Sequence, residues 1–199
     1  MTVEAAGEKG SMMARVEISN NAFPYPMPMV VLGTMVEGRA NFMAVGWVSR
    51  VNPRPPMIAV ALGKKHHTNV GIHETKTFSI NVPDVDLLER VDYCGLVSGR
   101  KVDKSGVFTV EAGSVTGAPL IAECPVVMEC RLERVVELPV EELFIAEIVA
   151  ARADEDCLAD GAPDIERVRP FTLTMPDNRY WTVGSQAGAA WSAGKRLRT

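Results

Sequence analysis

The segment from Asn41 to Asn81, NFMAVGWVSRVNPRPPMIAVALGKKHHTNVGIHETKTFSIN, restricts the fold more than any other part of the chain. From Asn41 to Val51 side chains alternate in two registers, Asn41, Met43, Val45, Trp47 and Ser49 against Phe42, Ala44, Gly46 and Val48. That is the period of a β-strand. Gly46 inside the run suggests a bulge or a close approach to the backbone. After the turn Asn52-Pro53-Arg54-Pro55-Pro56, the unbroken apolar run Met57 to Leu62 reads as a strand buried on both faces. Lys64, Lys65, His66 and His67 then lead into Thr68, an expected N-cap for a short helix through Glu74. A helix N-terminus presents unpaired N–H groups and the positive end of its dipole, so beside two lysines this start can seat a phosphate. A solvated basic turn is the plainer alternative.

The flanking chain continues the β pattern. Prolines between Phe23 and Met29 enforce an extended entry, Met29 to Met35 reads as a strand, and Glu37-Gly38 turns it into Asn41 as a hairpin. Thr77 to Val82 alternates with Phe78, Ile80 and Val82 towards the core and Ser79 and Asn81 opposite. Asp84 can cap a helix over Val85 to Val91, with Leu87, Leu88 and Val91 as its apolar stripe. Tyr93 to Lys104 follows as a loop holding Cys94, Ser98, Gly99, Arg100, Lys101 and Lys104, chemistry more often found where a loop binds something. Cys124 to Leu138 reads as an amphipathic strand with Glu129 on its wet face and Cys130 in the core, and Leu143 to Ala153 as a second long strand. These elements, some seven to nine strands with two or three short helices, argue for an antiparallel barrel or sandwich and against a βαβ fold.

Residues 1 to 12 are small, polar and unpatterned, an expected leader, and 13–199 form one domain; the hydrophobic fraction of 47% is enough for a single core. A formal net charge of −4 argues against general nucleic-acid binding, so any anion site must be local. Without an apolar run long enough to span a bilayer or a signal-peptide core, a cytoplasmic protein that does not enter the membrane is the expectation. Cys94, Cys124, Cys130 and Cys157 lack metal-ligand spacing and are read as reduced thiols, with Cys94 the candidate for reactivity because of neighbouring cations. Neither GxGxxG nor GxxxxGK[ST] is present, so the standard nucleotide loops are absent.

In order along the chain, Asn41-Phe42-Met43-Ala44-Val45-Gly46-Trp47, Pro55-Pro56, His67-Thr68, Phe78-Ser79-Ile80-Asn81-Val82, and Cys94-Gly95 with Ser98-Gly99-Arg100 and Asp103-Lys104 resemble the flavoredoxin branch of the flavin reductase-like family. The resemblance spans about Phe23 to Tyr180. It implies a mainly β, Greek-key-like, FMN-binding split β-barrel with a few short helices, usually a homodimer with flavin near the subunit interface. By the same resemblance Asn41, Met43, Ala44, Val45, Gly46, Trp47 and Val48 lie along the flavin ring, and Ser49, His67 and Thr68 lie towards its phosphate. Asn81 would reach the flavin from the next strand, and Cys94, Ser98, Gly99 and Lys104 from the adjacent loop. The implied activity is that of a flavin-dependent oxidoreductase, reduced by NAD(P)H or a redox protein, with the flavin and not a side-chain dyad carrying the chemistry. With one helix start and no dinucleotide loop, FMN is expected in preference to FAD. A flavin-binding electron carrier without turnover, or a related barrel holding haem, are the alternatives.

Overall fold

The computed structural model describes residues 14–197, so the expected leader lies outside the described residues. The elements in chain order are β1 (Met27–Pro28), β2 (Val30–Val36), β3 (Arg39–Val45), β4 (Val48–Asn52), β5 (Met57–Gly63), α1 (His67–Thr75) and β6 (Thr77–Val82). After them come α2 (Leu88–Leu96), β7 (Val110–Ala112), β8 (Pro119–Ile121), β9 (Val126–Glu137) and β10 (Glu141–Ala153). The last third holds β11 (Leu158–Ala159), β12 (Ala162–Pro163), α3 (Ile165–Val168), β13 (Phe171–Thr174) and β14 (Arg179–Thr182).

Seven strands form one antiparallel sheet in the order β3-β2-β6-β9-β10-β5-β4. Its two outermost strands, β3 and β4, are consecutive in sequence and separated only by Gly46 and Trp47. The three Cα–Cα steps from Val45 to Val48 span no more than about 11 Å, so the sheet must curl until its edges meet. The edges are not hydrogen-bonded to each other, which leaves the barrel split along this seam. The expected mainly β split barrel is the observed fold. The expected continuous strand Asn41 to Val51 is instead two strands, because the chain crosses from one edge to the other at Gly46-Trp47. A Cβ on Gly46 would make only ordinary contacts, the nearest 3.7 Å away, so the expected close approach does not occur there.

Two cores follow from the alternation. Inside the barrel Leu32, Val45, Val60, Leu62, Phe78, Ile80, Cys130 and Phe144 pack together with Ile72 from α1. The opposite face of β2 and β3 packs Val31 and Phe42 against Val91 and Cys94 of α2, Phe108, Ile121 and Phe171. Burial on both faces is why β2 reads as a continuous apolar run. The β2–β3 hairpin turns through Glu37 and Gly38, both in the left-handed region at φ 49° and 77°, as a two-residue hairpin turn requires.

Three further expectations are corrected. Asp84 does accept from the backbone of Asp86 and Leu87, but it caps a 3₁₀ turn, Val85–Leu87, and α2 then runs on to Leu96. Cys94, three residues after Val91, extends the buried stripe and takes Tyr93 to Leu96 out of the expected loop. Glu129, expected on a wet face, is buried beneath the 113–117 turn. Its Oε2 accepts from Thr116 N (2.6 Å), Thr116 Oγ1 (2.9 Å) and Val115 N (3.0 Å). Asn81 is also fully buried: it donates to Val31 O and Ser79 Oγ and accepts from Ile121 N (2.9 Å), tying β8 across β2 and β6.

Burial pushes the Glu129 carboxyl up, but the hydrogen bonds from Thr116, Val115 and Ser114 outweigh it and hold the group below the usual carboxylate range. A depressed folded pKa gives stability that is present above the unfolded value, about 4.3 for glutamate, and lost as pH falls through the folded value. Glu129→Gln should therefore melt lower than wild type at neutral pH and lose less melting temperature on acidification below about pH 5, read from thermal melts across that range.

Candidate functional site

Along the split lies a row of three cavities. The first, of about 220 Å³, is walled by Met43 to Trp47 from the β3 edge, Ala61 to Gly63 of β5, and His66. Met27, Leu173 and Met175 close it from the small sheet β1-β13-β14, and Glu141 enters at the start of β10, opposite Gly63 in register. The second, of about 190 Å³, shares Met43, Ala44 and His66 with the first and is completed by His67, Thr68, Cys94, Gly95, Val97, Ser98, Gly99 and Lys104. The third, of about 400 Å³, shares His67, Gly99 and Lys104 with the second and is bounded by Asn41, Arg39 and the 100–103 loop.

The second cavity lies at an uncapped helix start. Helix α1 begins at His67 with His66 as N-cap, and no side chain caps its first N–H groups. Thr68, expected as the cap, is the second helical residue and buried; its hydroxyl accepts from Asn41 Nδ2 at 2.9 Å. That bond fixes the β3 edge to the helix start. His67 Nδ1 is buried without a hydrogen-bond partner, and a buried polar atom left unpaired is costly unless something fills the role. The helix itself is anchored from behind. Asn69 donates to Gly63 O (3.2 Å) and to Glu142 Oε2 (2.6 Å), whose other oxygen lies 2.8 Å from His73 Nε2. Burial raises the Glu142 carboxyl, and the bonds from Asn69 and His73 more than reverse that.

Lys104 is 4% exposed and donates to Cys94 O and Val97 O, both at 3.2 Å, satisfying the C-terminal carbonyls of α2. An ammonium has three N–H groups, so one is left over for the cavity. Burial lowers the Lys104 pKa. Burial also pushes the Cys94 thiol up to about 11, which the nearby Lys104 only partly offsets. The expected activation of Cys94 is thereby reversed: the thiol is protonated at neutral pH and packs in the second core. At the junction of the first two cavities, partial burial holds the His66 imidazole below its ordinary value, reinforced by Lys104 and opposed by Glu141. His66 is therefore neutral at neutral pH.

Of the residues singled out in sequence, Asn41, Met43, Ala44, Val45, Gly46, Trp47, His67, Thr68, Cys94, Ser98, Gly99 and Lys104 line this row. Val48 and Ser49 do not. They lie beyond the crossing, on a separate apolar groove, where the Ser49 hydroxyl donates to Arg50 O. Asn81 does not reach the cleft because its amide is consumed between β2 and β8. Sequence reasoning missed His66, whose signal was its place in the basic turn, Glu141, Met27 and Leu173, which strand pairing brings in, and Met175 in the turn after β13. Among the described residues no cluster of His, Cys, Asp or Glu is arranged to hold a metal ion, and no helix is long and apolar enough to cross a membrane.

This fold has counterparts among known proteins. A flavoredoxin from Methanosarcina acetivorans is 51% identical and superposes with a TM-score of 0.91 over 92% of this chain and 99% of that one. An FMN-binding protein from Thermus thermophilus is 25% identical, with a TM-score of 0.75 over 90% of this chain and 99% of that one. An uncharacterized protein of Aeropyrum pernix is 32% identical over 151 residues, which are 74% of this chain and 57% of that relative's length. The model of the flavin reductase like domain matches residues 22–180, and the chain belongs to the flavin reductase-like family.

Proposed function

We propose that this chain binds FMN along the first two cavities and works as a flavin-dependent oxidoreductase that takes electrons from NAD(P)H or a redox protein. The observation that carries the reading is the uncapped start of α1 with the unpartnered His67 Nδ1, opening into a cavity continuous with the cleft at the barrel split. The phosphate belongs at that start, where N–H groups, the Thr68 hydroxyl and the remaining Lys104 proton converge. The ring belongs in the first cavity, between the β3 edge and β5. When bound there, FMN supplies the electron chemistry. The chain's own residues position it and control its surroundings: Met27, Leu173 and Met175 keep water from one wall, and neutral His66 beside Glu141 offers a nitrogen able to give or accept a hydrogen bond.

Thr68→Val and Lys104→Met should weaken FMN and leave riboflavin binding nearly unchanged. Loss of one charge-assisted hydrogen bond costs about 1.5–3 kcal/mol, roughly a ten- to hundredfold loss of affinity. Fluorescence titration with both flavins reads this directly. Equal losses for the two flavins would mean that the side chains support the fold or the ring, not the phosphate.

Turnover is the second test. Anaerobic addition of NADH or NADPH to the FMN-loaded protein should bleach the flavin absorbance. A loaded protein left oxidised by both would be an electron carrier fed by another protein.

A homodimer is part of the same proposal. Beside the ring cavity, and sharing Met27, Gly46 and Trp47 with it, runs a groove of about 700 Å³ lined by Phe23, Pro24, Val51, Leu143 and other uncharged residues. Trp47 is 45% exposed and Val51 50%, a contiguous apolar surface suited to burial against a second copy. Light scattering should give a dimer, and Val51→Asp should shift it towards monomer with weaker flavin binding. A wild-type monomer that holds FMN would remove the interface from the site.

A further inference from the structure

The chain that follows β14 folds only on itself. Residues 184–197 are exposed throughout. Among the described residues their hydrogen bonds are all internal, from Ser192 N and Ala193 N to Ala189 O, Lys195 N to Ser192 O and Leu197 N to Gly194 O. An added Cβ would meet nothing within 4 Å at Gly184 or Gly194, and at Gly188 only Ala193 of the same segment. The segment is therefore an arm that does not lean on its own barrel. At its turn stands Trp191, 96% exposed, with a left-handed backbone at φ 56° that a bulky residue rarely adopts. Such an outlier, placed at a bare indole with about 150–250 Å² of surface to bury, points to a contact that uses it.

The apolar groove beside the ring cavity has the matching chemistry. Its Phe23 and Trp47 rings lie 6.4 Å apart, tilted by 39°, with Pro24, Val51 and Leu143 around them and no charged side chain in the lining. On the arm, residues 188–190 and 192–194 are all glycine, alanine or serine, so nothing bulky holds the indole off a surface, and 183–197 contains no carboxylate. Seating Trp191 in the groove desolvates no charge, and a buried tryptophan is the side chain most often found to anchor an interface. The nine residues from Thr182 to Trp191 reach at most about 30 Å. In the small sheet β14 lies two strands, about 10 Å, from β1, whose Met27 and Pro28 line the groove. The arm's own groove is thus within its reach, yet the arm stays off it.

We propose that the groove is the seat of Trp191 from a second copy, so that two chains exchange C-terminal arms about a two-fold axis. Because Met27, Gly46 and Trp47 wall the groove and the ring cavity alike, each seated indole packs behind the wall of the other chain's ring cavity. The inference rests on the homodimer reading above and names the contact that holds it; its consequence at the ring cavity rests on the flavin reading.

Tryptophan emission reads the seat, since the difference between wild type and Trp191→Phe separates Trp191 from Trp47 and Trp181. In the dimer that difference should be blue-shifted and shielded from acrylamide; on dilution to monomer, or in Val51→Asp, it should become that of indole in water. Trp191→Ser should weaken dimerisation about tenfold or more, the scale of losing an aromatic anchor, and should weaken FMN at concentrations where wild type is dimeric. Trp191→Phe should restore most of both. Diluted to monomers, Trp191→Ser and wild type should melt together, because the indole touches nothing in its own fold. Mixing Val51→Asp, which keeps the arm, with Trp191→Ser, which keeps the groove, should recover dimers and flavin binding that neither gives alone. No recovery on mixing would place the arm in its own chain's groove and overturn the proposal. A wild-type dimer whose Trp191 stays open to acrylamide, or a Trp191→Ser dimer as tight as wild type, would also overturn it and leave the homodimer reading standing. A wild type that is monomeric at every concentration removes both. Dimers with a shielded Trp191 that bind no flavin keep the seat and remove the flavin reading alone.

Discussion

Two residues, Gly46 and Trp47, join the two outermost strands of a seven-stranded sheet, and the rest of the architecture depends on that short link. A sheet whose edge strands are neighbours in sequence cannot stay open. Nor do β3 and β4 zip together, because the chain is still turning where their ends meet: only the Trp47 carbonyl is used nearby, by Ala61 N at 3.0 Å. The result is a barrel with a seam, and a seam between unpaired edges is a cleft lined by backbone polar groups and alternate side chains. The ring cavity and the apolar groove lie on either side of this crossing, with Gly46 and Trp47 in the wall of both.

Much of this was legible in the sequence. The alternation in Asn41 to Ser49, the unbroken run Met57 to Leu62 and the Phe78, Ile80, Val82 face predicted strands that the structure contains, and Cys130 sits in the core as its register requires. The failures share a cause. Glu129 was assigned a wet face and Asn81 the face opposite the core because period-2 alternation reports which side of a strand a residue occupies, and not what covers that side. Here the 113–121 segment, barely patterned in sequence, lies across it and supplies hydrogen-bond donors to both residues. The overlong strand through Gly46 failed for a related reason: the sequence goes on alternating, but the facing inverts at the crossing, so that Val45 and Val48, of opposite registers, both pack on the barrel core while the hydrogen-bond partner changes from β2 to β5.

The site divides along the same line. Residues local to the β3 edge, the α1 start and the α2–loop junction were singled out in sequence and line the cavities, because turn chemistry and helix signals are local. Glu141 and Met27 were not, because they arrive through antiparallel pairing with strands far away in sequence, and Met175 follows from the turn after β13. Lys104 was found for one reason and matters for two. A lysine after a Ser-Gly-Arg loop suggests a phosphate contact, yet its side chain is buried and closes the end of α2.

An acidic chain builds a locally positive cleft by committing its carboxylates elsewhere. Glu142, the acidic group nearest the back of α1, is bound by Asn69 and His73; Glu129 is bound by the 114–116 backbone; Glu123 is bound by Thr109 and Arg90. Each of these internal bonds stabilises the ionised form and keeps it from facing the anion seat. The inner cavity is left without a carboxylate among its lining residues, while the α1 dipole, two histidines and Lys104 point into it. Glu141 is the exception, placed in the first cavity beside His66, where a negative group opposes the loss of the imidazole proton without lining the second cavity. Net charge is thus a poor guide to what this surface attracts, because the negative charges are tied into the scaffold and the positive ones line the cleft.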